Sequence, residues 1–286
     1  MHAFNPGQKH DNFHLNFYLC RVMAYKAILP YASVLFLILA SFACKNQHEH
    51  DGIDKAFDNM HIDDEPAGSE DISSKSDTWR FLDSLGLVDV QTLDSSILVN
   101  LRYSSTDNFL DTILYDELSS AFLQADVARK LANASGILQK KHPELRLMVW
   151  DAVRPVAVQK RMWENCDIPL KRRHWYVTPP DTRSLHNWGA AVDVTLVDTS
   201  GNYLDMGTDF DHFGKAAYTD RDADLLTQGL ISQKAVDNRQ ILKSVMNQAG
   251  FTGIKYEWWH YNSCTRKTAE SKYKLIFALT DTTKTR

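Results

Sequence analysis

The stretch Ser184-Leu-His-Asn-Trp-Gly-Ala-Ala-Val-Asp193 decides how this chain folds, because it leads from a loop directly into a strand. Asp193 alternates with the apolar residues Val192 and Val194, which is the two-residue period of a strand. Such a strand turns the Asp193 carboxylate toward a cleft while the valines pack behind it. His186 lies in the loop before the strand, so one short stretch supplies both an imidazole and a carboxylate.

A second short stretch, Glu257-Trp-Trp-His260, completes a candidate zinc site. His186, Asp193 and His260 would supply three ligands, and the fourth position of a tetrahedral zinc stays open for water. An open position is typical of a catalytic zinc, whereas a structural zinc usually has four protein ligands. Glu257 remains as a carboxylate beside the metal, where it can take a proton from the water and return it to a leaving amine. The sequence therefore predicts one zinc ion per chain and hydrolytic chemistry.

The spacing of Glu257 and His260 conflicts with a regular strand. A strand is expected over residues 254–261, and residues three apart in a strand point to opposite faces. A bulge or bend is therefore required, and such irregularities are common beside active sites. If the segment is one helical turn instead, the two side chains share a face without a bulge. Trp258 and Trp259 are interpreted as packing residues that fix this stretch.

An arginine at the end of another predicted strand is the candidate for stabilising charge. The apolar run 145–150 predicts a strand that delivers Asp151-Ala-Val-Arg154-Pro155 at its end. Arg154 carries a permanent charge that can hold the oxyanion formed when an amide is attacked. The alternative is that Arg154 is a structural partner of Asp151.

The other patterns predict helices and strands in mixed order. Alternation predicts a strand over 97–103, and apolar residues at three- and four-residue steps predict a helix over 120–141. Further helices are predicted over 156–165 and from Asn238, as the cap, to Gly250.

Composition places the chain among ordinary globular proteins. It has 286 residues, of which 44% are hydrophobic and 24% are charged. Its 32 basic and 36 acidic residues give a formal net charge of -4, so nucleic acid is not expected as a partner. With 7 Trp, 11 Tyr and 13 Phe, the chain can build a core without a disulfide framework.

The N-terminal region predicts export. The apolar run 27–43 follows Lys26 and ends in small residues before Cys44, which is the order of a signal peptide. Ser41-Phe-Ala-Cys44 resembles a bacterial lipobox, so we expect lipidation of Cys44 and a mature protein held at a membrane in the cell envelope, on its periplasmic face. A transmembrane anchor is the alternative, since about 17 apolar residues lie at the short limit for spanning. The position of the positive charge favours Met23 as the true start.

Three regions follow from these patterns. Residues 1–44 form the signal sequence, and residues 45–75 are acidic with little hydrophobic periodicity, which predicts a disordered tether. Residues 76–286 form a single folded domain, beginning with a helix capped at Ser76.

Two cysteines remain in the expected mature domain, Cys166 and Cys264. In an oxidising compartment they can pair as a disulfide. Two separate free thiols are the alternative.

Four motifs occur together along the chain. They are Tyr103-x-x-x-Asp107-Asn108-Phe109, Asp151-x-x-Arg154-Pro155, Ser184-x-His-x-x-Gly-x-Ala-x-Asp193 and Glu257-x-x-His260. In this order they resemble the D-alanyl-D-alanine dipeptidases, the VanX group of zinc peptidases, over roughly Ser76 to Thr268.

The resemblance implies a role for each motif residue. It implies zinc ligation by His186, Asp193 and His260 and general base and acid chemistry at Glu257. Arg154 is similar to the family's residue that stabilises the transition state. Two further residues are matched to the substrate: Asp211 to the binding of its free amino group, and Ser184 to a position near it.

The resemblance also implies a fold and a substrate. The fold is α+β, an antiparallel sheet flanked by helices, as in zinc D,D-carboxypeptidases and hedgehog signalling domains. The implied substrate is D-Ala-D-Ala or a similar D,D-dipeptide in cell-wall peptide turnover. The alternatives are a D,D-carboxypeptidase or endopeptidase for longer murein peptides, or a binding module without turnover. A signal sequence and an acidic tether are additions to the family's pattern.

Overall fold

The computed structural model describes residues 75–115, 118–174 and 176–280. The predicted signal sequence with Cys44, and the predicted tether up to residue 74, lie outside the described residues. Within the described residues, no helix combines the length and the apolar character needed to cross a bilayer.

The strands form two sheets. A small antiparallel sheet pairs β1 (Leu87–Asp89) with β3 (Phe122–Gln124). The main sheet contains β2 (Leu98–Val99), β4 (Leu145–Asp151), β5 (Ala191–Asp198), β6 (Thr252–Gly253) and β7 (His260–Asn262). Their order across the sheet is β2-β4-β5-β7-β6. The predicted antiparallel sheet is confirmed for every pair except β2 and β4, which run parallel.

Helices cover the sheet. The helices are α1 (Asp77–Ser84), α2 (Ala125–Lys141), α3 (Val156–Asn165), α4 (Leu170–Arg173), α5 (Asp222–Thr227), α6 (Gln233–Gln248) and α7 (Arg266–Lys272). Helix α2 packs against β4 and against α6, burying Val127, Leu131 and Leu138 as the periodicity predicts. The predicted α+β architecture, a sheet flanked by helices, is therefore confirmed.

The centre of the main sheet positions the site. Strand β5 is buried along nearly its whole length, because β4 and β7 lie on either side of it and helices cover it. The register between β4 and β5 shifts between Val149 and Asp151, so Asp151 comes to lie opposite Asp193. On the other side, Asp193 lies opposite His260 of β7. Three side chains with site chemistry are thus brought to one point by strand pairing.

Two predicted element boundaries near the N-terminal side are wrong. The strand predicted over 97–103 ends at Val99, and residues 102–104 form a 3₁₀ turn. The chain turns here because the Tyr103 carbonyl accepts hydrogen bonds from the backbone of Leu114 and Tyr115, not from a strand. The helix predicted from Ser120 begins at Ala125, because residues 122–124 pair with β1.

Two boundaries on the C-terminal side are also wrong. Helix α6 is capped by Ser232, whose hydroxyl accepts from the Ala235 amide at 2.9 Å, and not by Asn238. Asn238 lies inside the helix and donates its side-chain amide to the Asp205 carbonyl at 2.7 Å. The strand expected over 254–261 is interrupted: a loop joins β6 to β7, and only His260 and Tyr261 of that range lie in β7.

Cys166 is buried and Cys264 is partly buried, and both thiols are free. The structure therefore agrees with the alternative of two separate cysteines.

Candidate metal centre and active site

Three different local structures place the predicted metal ligands. His186 lies in the 3₁₀ turn Leu185–Trp188, which ends at Gly189 in the left-handed conformation with φ 63°. Asp193 is the third residue of β5, and His260 is the first residue of β7, directly opposite it. All three side chains are buried.

The candidate ligand atoms converge closely. His186 Nε2 lies 3.1 Å from His260 Nδ1, and Asp193 Oδ1 lies 3.3 Å from His186 Nε2 and 3.0 Å from His260 Nδ1. Within the described part of the chain, His186, Asp193 and His260 thus offer three ligand atoms close enough together to hold one metal ion. Two nitrogen donors and one oxygen donor form a set that zinc accepts.

The hydrogen bonds of the two histidines leave the inward-facing nitrogens available for a metal. His186 Nδ1 lies 2.7 Å from the Ala152 carbonyl, which can only accept, so the proton is on Nδ1. His260 Nε2 lies 2.9 Å from Asn262 Oδ1, which fixes the other tautomer. The nitrogens that face Asp193 then carry lone pairs, and two lone pairs 3.1 Å apart need a cation between them. This arrangement, with the second nitrogen of each ring held by an oxygen, fits a metal centre.

Without a metal, protons take part in this cluster. Burial would raise the pKa of Asp193, but His186 and His260 outweigh burial and hold the pKa well below its usual value. Burial would lower the pKa of His260, but the hydrogen bond to Asp193 and its charge raise the pKa to about 9. The cluster therefore favours positive charge at its centre.

Glu257 reaches the site through a turn. The amide of His260 donates to the Glu257 carbonyl at 3.4 Å, which closes a turn of four residues. Glu257 Oε2 consequently lies 4.0 Å from His260 Nδ1. The expected irregularity is present as this turn, and no strand bulge is needed between the two residues. Burial, with Asp193 nearby, raises the pKa of Glu257 despite the opposing charge of His260, although 36% of its side chain stays exposed.

Trp258 and Trp259 pack in the core, as the sequence analysis interprets them. Their exposed fractions are 2% and 1%. Trp258 donates its indole N–H to the Thr208 hydroxyl at 2.7 Å, and its ring meets that of Trp259 edge to face. The turn that carries Glu257 is thus fixed on the core side.

Arg154 is the structural partner of Asp151 that one of the two alternatives predicts, and its role toward an oxyanion stays a prediction. It is paired with Asp151, with Nε at 2.8 Å and Nη2 at 2.6 Å from Oδ2. Its Nη2 also lies 3.5 Å from Asp193 Oδ2, and its Nη1 donates to Gln159 Oε1 at 3.2 Å. The structural pair holds the guanidinium at the wall of the site.

Three residues that the sequence patterns do not single out support these groups. Tyr115 donates its hydroxyl to Asp151, and Gln159 holds Arg154 from the far side. Asn262 holds the outer nitrogen of His260. Only Asn262 leaves a sequence signal, because residues two apart in a strand share a face.

Asp211 and Ser184 line the same cavity as the three candidate ligands. Asp211 has a left-handed backbone, φ 57°, and accepts from the Tyr103 hydroxyl at 3.1 Å. Its pKa is raised well above the usual value by burial, and Asp193 and Glu257 add to this. The Ser184 hydroxyl accepts from the amide of His186 at 3.4 Å, so it also shapes the turn that carries His186.

All seven predicted site residues line one cavity of about 230 Å³, called the site cavity here. They are Arg154, Ser184, His186, Asp193, Asp211, Glu257 and His260. Residues from four separate parts of the chain therefore line one small cavity.

An α+β fold with a buried His-Asp-His centre, a nearby carboxylate and a held guanidinium defines a zinc metallopeptidase. Comparison with known proteins gives the same class: residues 83–276 match the family described as "D-ala-D-ala dipeptidase", and the chain belongs to that family.

Two relatives show the extent of the similarity. The chain is 31% identical over 179 residues to a D-alanyl-D-alanine dipeptidase of Escherichia coli (strain K12), covering 63% of this chain and 85% of the relative. It is 28% identical over 192 residues to one of Streptomyces coelicolor, covering 60% and 88%. A solved vancomycin resistance D,D-pentapeptidase, VanY, in complex with Zn(II) superposes with a TM-score of 0.33 at 14% identity, covering 56% of this chain and 82% of that one.

Proposed function

We propose that this chain hydrolyses D-Ala-D-Ala, or a similar D,D-dipeptide, with one zinc ion held by His186, Asp193 and His260. The observation that carries the proposal is the convergence of three ligand atoms, which lie within 3.3 Å of one another. The outer nitrogen of each histidine is hydrogen-bonded to an oxygen. Membership in the dipeptidase family supports the substrate.

The roles of the other residues follow from their positions. Bound zinc would supply Lewis acidity to the carbonyl and acidify water. Glu257 takes a proton from the attacking water and later gives it to the leaving amine. The raised pKa of Glu257 suits this exchange, because a carboxylate with a raised pKa accepts a proton more readily before it returns it to the leaving amine.

Arg154 and Asp211 act on two different groups of the substrate: the oxyanion and the free amino group. The guanidinium of Arg154, held by Asp151 and Gln159, stabilises the oxyanion without having to reorganise. Asp211 binds the amino group of the dipeptide within the site cavity, and the Tyr103 hydroxyl donates to its carboxylate. Ser184 positions the turn of His186 and lies near the substrate.

Metal analysis with a dipeptide panel tests this function. The full-length chain is purified, its zinc is measured, and hydrolysis of D-Ala-D-Ala, L-Ala-L-Ala and the two mixed dipeptides is followed. We expect one zinc per chain and turnover of D-Ala-D-Ala above the other three. Full zinc occupancy without hydrolysis of any dipeptide would instead favour the binding module, for which the pair Glu257 and Arg154 has no chemical use.

We further propose that the chain is exported and anchored by a lipid at Cys44. The supporting observations are the apolar run 27–43 and the lipobox-like Ser41-Phe-Ala-Cys44. An exported enzyme would meet wall-derived dipeptides, which suits scavenging or wall turnover. Labelling with a radioactive fatty acid in a bacterial host tests the anchor: label in the parent chain and none in Cys44→Ala is expected, and label in both would contradict it.

A further inference from the structure

The site cavity carries more positive charge than the reaction uses. Three arginines line it: Arg154, Arg183 and Arg266. Arg154 is paired with Asp151 through both Nε and Nη2. Across the described ranges of the chain, no carboxylate pairs with Arg183 or with Arg266. Two guanidinium groups at the wall of the cavity therefore have no negative partner among the residues that the structure describes.

The acidic side chains of the cavity, in contrast, all have a role in the proposed reaction. Asp193 is a candidate metal ligand, Glu257 carries the proton, and Asp211 is proposed to bind the amino group of the dipeptide. A free dipeptide at neutral pH has an ammonium group at one end and a carboxylate at the other. A charge that leaves water for a cavity is costly unless it is paired, so the carboxylate of the substrate needs a cation of its own.

Of the two arginines, Arg183 has the more suitable surroundings. Arg183 is half-buried, whereas Arg266 is exposed at the first residue of α7, where solvent screens its charge. Nη1 of Arg183 donates to the carbonyl of Pro180, which holds the guanidinium against its own loop. Its Nε and Nη2 make no hydrogen bond to a described residue. These two nitrogens form the planar fork that matches a carboxylate.

The backbone of Arg183 gives a second, independent indication. Its φ is 66°, in the left-handed region that residues with a Cβ rarely adopt. Such strain persists only where the surroundings hold it, and it is concentrated at functional sites. Here the next residue holds it: the amide of Ser184 donates to Asn187 Oδ1 at 2.8 Å, and the Ser184 hydroxyl accepts from the amide of His186. The backbone of Arg183 is therefore fixed to the turn that carries a candidate metal ligand.

We propose that Arg183 binds the free carboxylate of the second residue of the dipeptide, and so restricts the chain to substrates that end in a carboxylate at this point. The inference rests on the proposed function and names the residue that receives the second charged end of the substrate. With Asp211 at the amino group, the site then offers an opposite charge to each end of D-Ala-D-Ala. The amide bond between the two ends is thereby positioned at the metal centre.

The test combines a change in the substrate with a change in the protein. The zinc-loaded full-length parent and its Arg183→Gln variant are given D-Ala-D-Ala and the C-terminal amide of the same dipeptide, and kcat and KM are measured from the new amino groups formed. We expect KM of the parent to be about 10–100-fold higher for the amide than for the free acid. In Arg183→Gln we expect KM for the acid to rise by a similar factor, and KM for the amide to change less than about threefold, because the amide has no charge to lose.

Three further variants sharpen the assignment. Arg183→Lys keeps the charge and loses the fork, so its KM for the acid should lie between those of the parent and Arg183→Gln. Arg266→Gln should raise KM for the acid less than Arg183→Gln does. Arg172→Gln is the matched control, since Arg172 is an exposed arginine of α4 that does not line the site cavity, and it should behave like the parent.

The outcomes separate this inference from the proposed function. Equal KM for acid and amide in the parent overturns the inference and leaves the dipeptidase function intact. A similar rise of KM on both substrates in Arg183→Gln also overturns it, because the variant then disturbs the site in general. A larger effect of Arg266→Gln than of Arg183→Gln overturns the assignment to Arg183. Hydrolysis of neither substrate by the parent overturns the dipeptidase function, and the inference that rests on it.

Discussion

The two histidines of the metal centre depend on their outer hydrogen bonds as much as on their position. His186 uses a backbone carbonyl, which no substitution can remove, whereas His260 uses the side chain of Asn262. The second contact can be removed without touching a ligand. It therefore offers a direct measurement of how much ring orientation contributes to metal binding.

We expect Asn262→Ala to weaken zinc binding by about 10–100-fold, because the ring of His260 loses the oxygen that fixes its tautomer. Competition with a chromophoric chelator measures the affinity. Asn247→Ala, at an exposed position of α6, is the control and should bind zinc like the parent. Unchanged affinity in Asn262→Ala would show that strand pairing alone orients His260.

Glu257 and His260 are neighbours with different proposed roles, so substitution of each should affect zinc content and kcat differently. Glu257→Ala is expected to keep zinc and to lower kcat by about 10²–10⁴-fold, since it removes the proton carrier. His260→Ala is expected to lose zinc. Metal content and kcat on D-Ala-D-Ala are measured on the same samples, with Glu164→Ala as an exposed carboxylate control. An active Glu257→Ala enzyme would defeat the assignment of the base.

At the scale of elements, the turn before β5 determines where His186 lies. Gly189 ends that turn with φ 63°, and a Cβ at this position would lie 3.1 Å from Leu87 Cδ2 and 3.3 Å from the Gln124 amide nitrogen. Leu87 belongs to β1, and Gln124 belongs to β3. The small sheet therefore packs closely on the turn, and a Cβ at Gly189 would require Leu87 or the backbone at Gln124 to shift.

Gly189→Ala should destabilise the protein by about 2–3 kcal/mol, combining backbone strain with the close approach of β1 and β3. Gly201→Ala is the matched control. Gly201 also has a positive φ, 85°, but nothing lies within 4 Å of its added Cβ, so strain alone should cost about 1 kcal/mol. Urea unfolding of both variants measures the difference. Equal losses would mean that the packing on Gly189 relaxes easily.

The C-terminal segment is tied to α2 by one carboxylate. Asp126 Oδ2 lies 2.6 Å from Lys272 Nζ, and the Tyr273 hydroxyl donates to the same carboxylate at 2.8 Å. Partial burial would raise the pKa of Asp126, but these two hydrogen bonds outweigh it and lower the pKa. A carboxyl whose pKa is lower in the folded protein than in the unfolded chain stabilises the fold. The contribution is complete when the pH lies above the unfolded pKa, and it is lost as the pH falls through the folded pKa.

Asp126→Asn should therefore cost more stability at pH 7 than at about pH 3, because the contribution of the carboxylate declines once the pH falls below its unfolded pKa. The cost is about 0.5–1 kcal/mol, since solvent screens a pair whose Asp126 side chain is 35% exposed. Urea midpoints at the two pH values measure it, with Asp83→Asn at an exposed position of α1 as the control. An equal cost at both pH values would assign the effect to packing.

At the scale of the whole molecule, metal binding joins distant parts of the chain. His260 is 67 positions from Asp193 and 74 from His186. The three ligands converge only when β5, β7 and the 3₁₀ turn are all in place. Because the unfolded chain does not hold this geometry, zinc should bind the folded state and stabilise it.

Removal of zinc should lower the melting temperature, by the equivalent of about 4 kcal/mol when free zinc exceeds its dissociation constant a thousandfold. Calorimetry before and after treatment with EDTA, followed by addition of zinc, measures the shift and its reversal. His260→Ala serves as the control and should show no shift. A melting temperature that does not depend on zinc would contradict the centre.

Sequence patterns determined the long elements and the identity of the reactive residues. Helix α3 was predicted over 156–165, and β4 over 145–150, because both have enough residues for a period to be visible. His186, Asp193, Glu257 and His260 could be selected because few residue types carry this chemistry, and the structure places them together.

Only the tertiary structure decided the contacts that complete the site. The pairing of β1 with β3 involves three residues each, too few to show a period, and it displaced the predicted start of α2. Tyr103 meets Asp211 across 108 positions, and Tyr115 meets Asp151 across 36. Such contacts depend on how distant segments pack in three dimensions, and a local pattern contains no information about that distance.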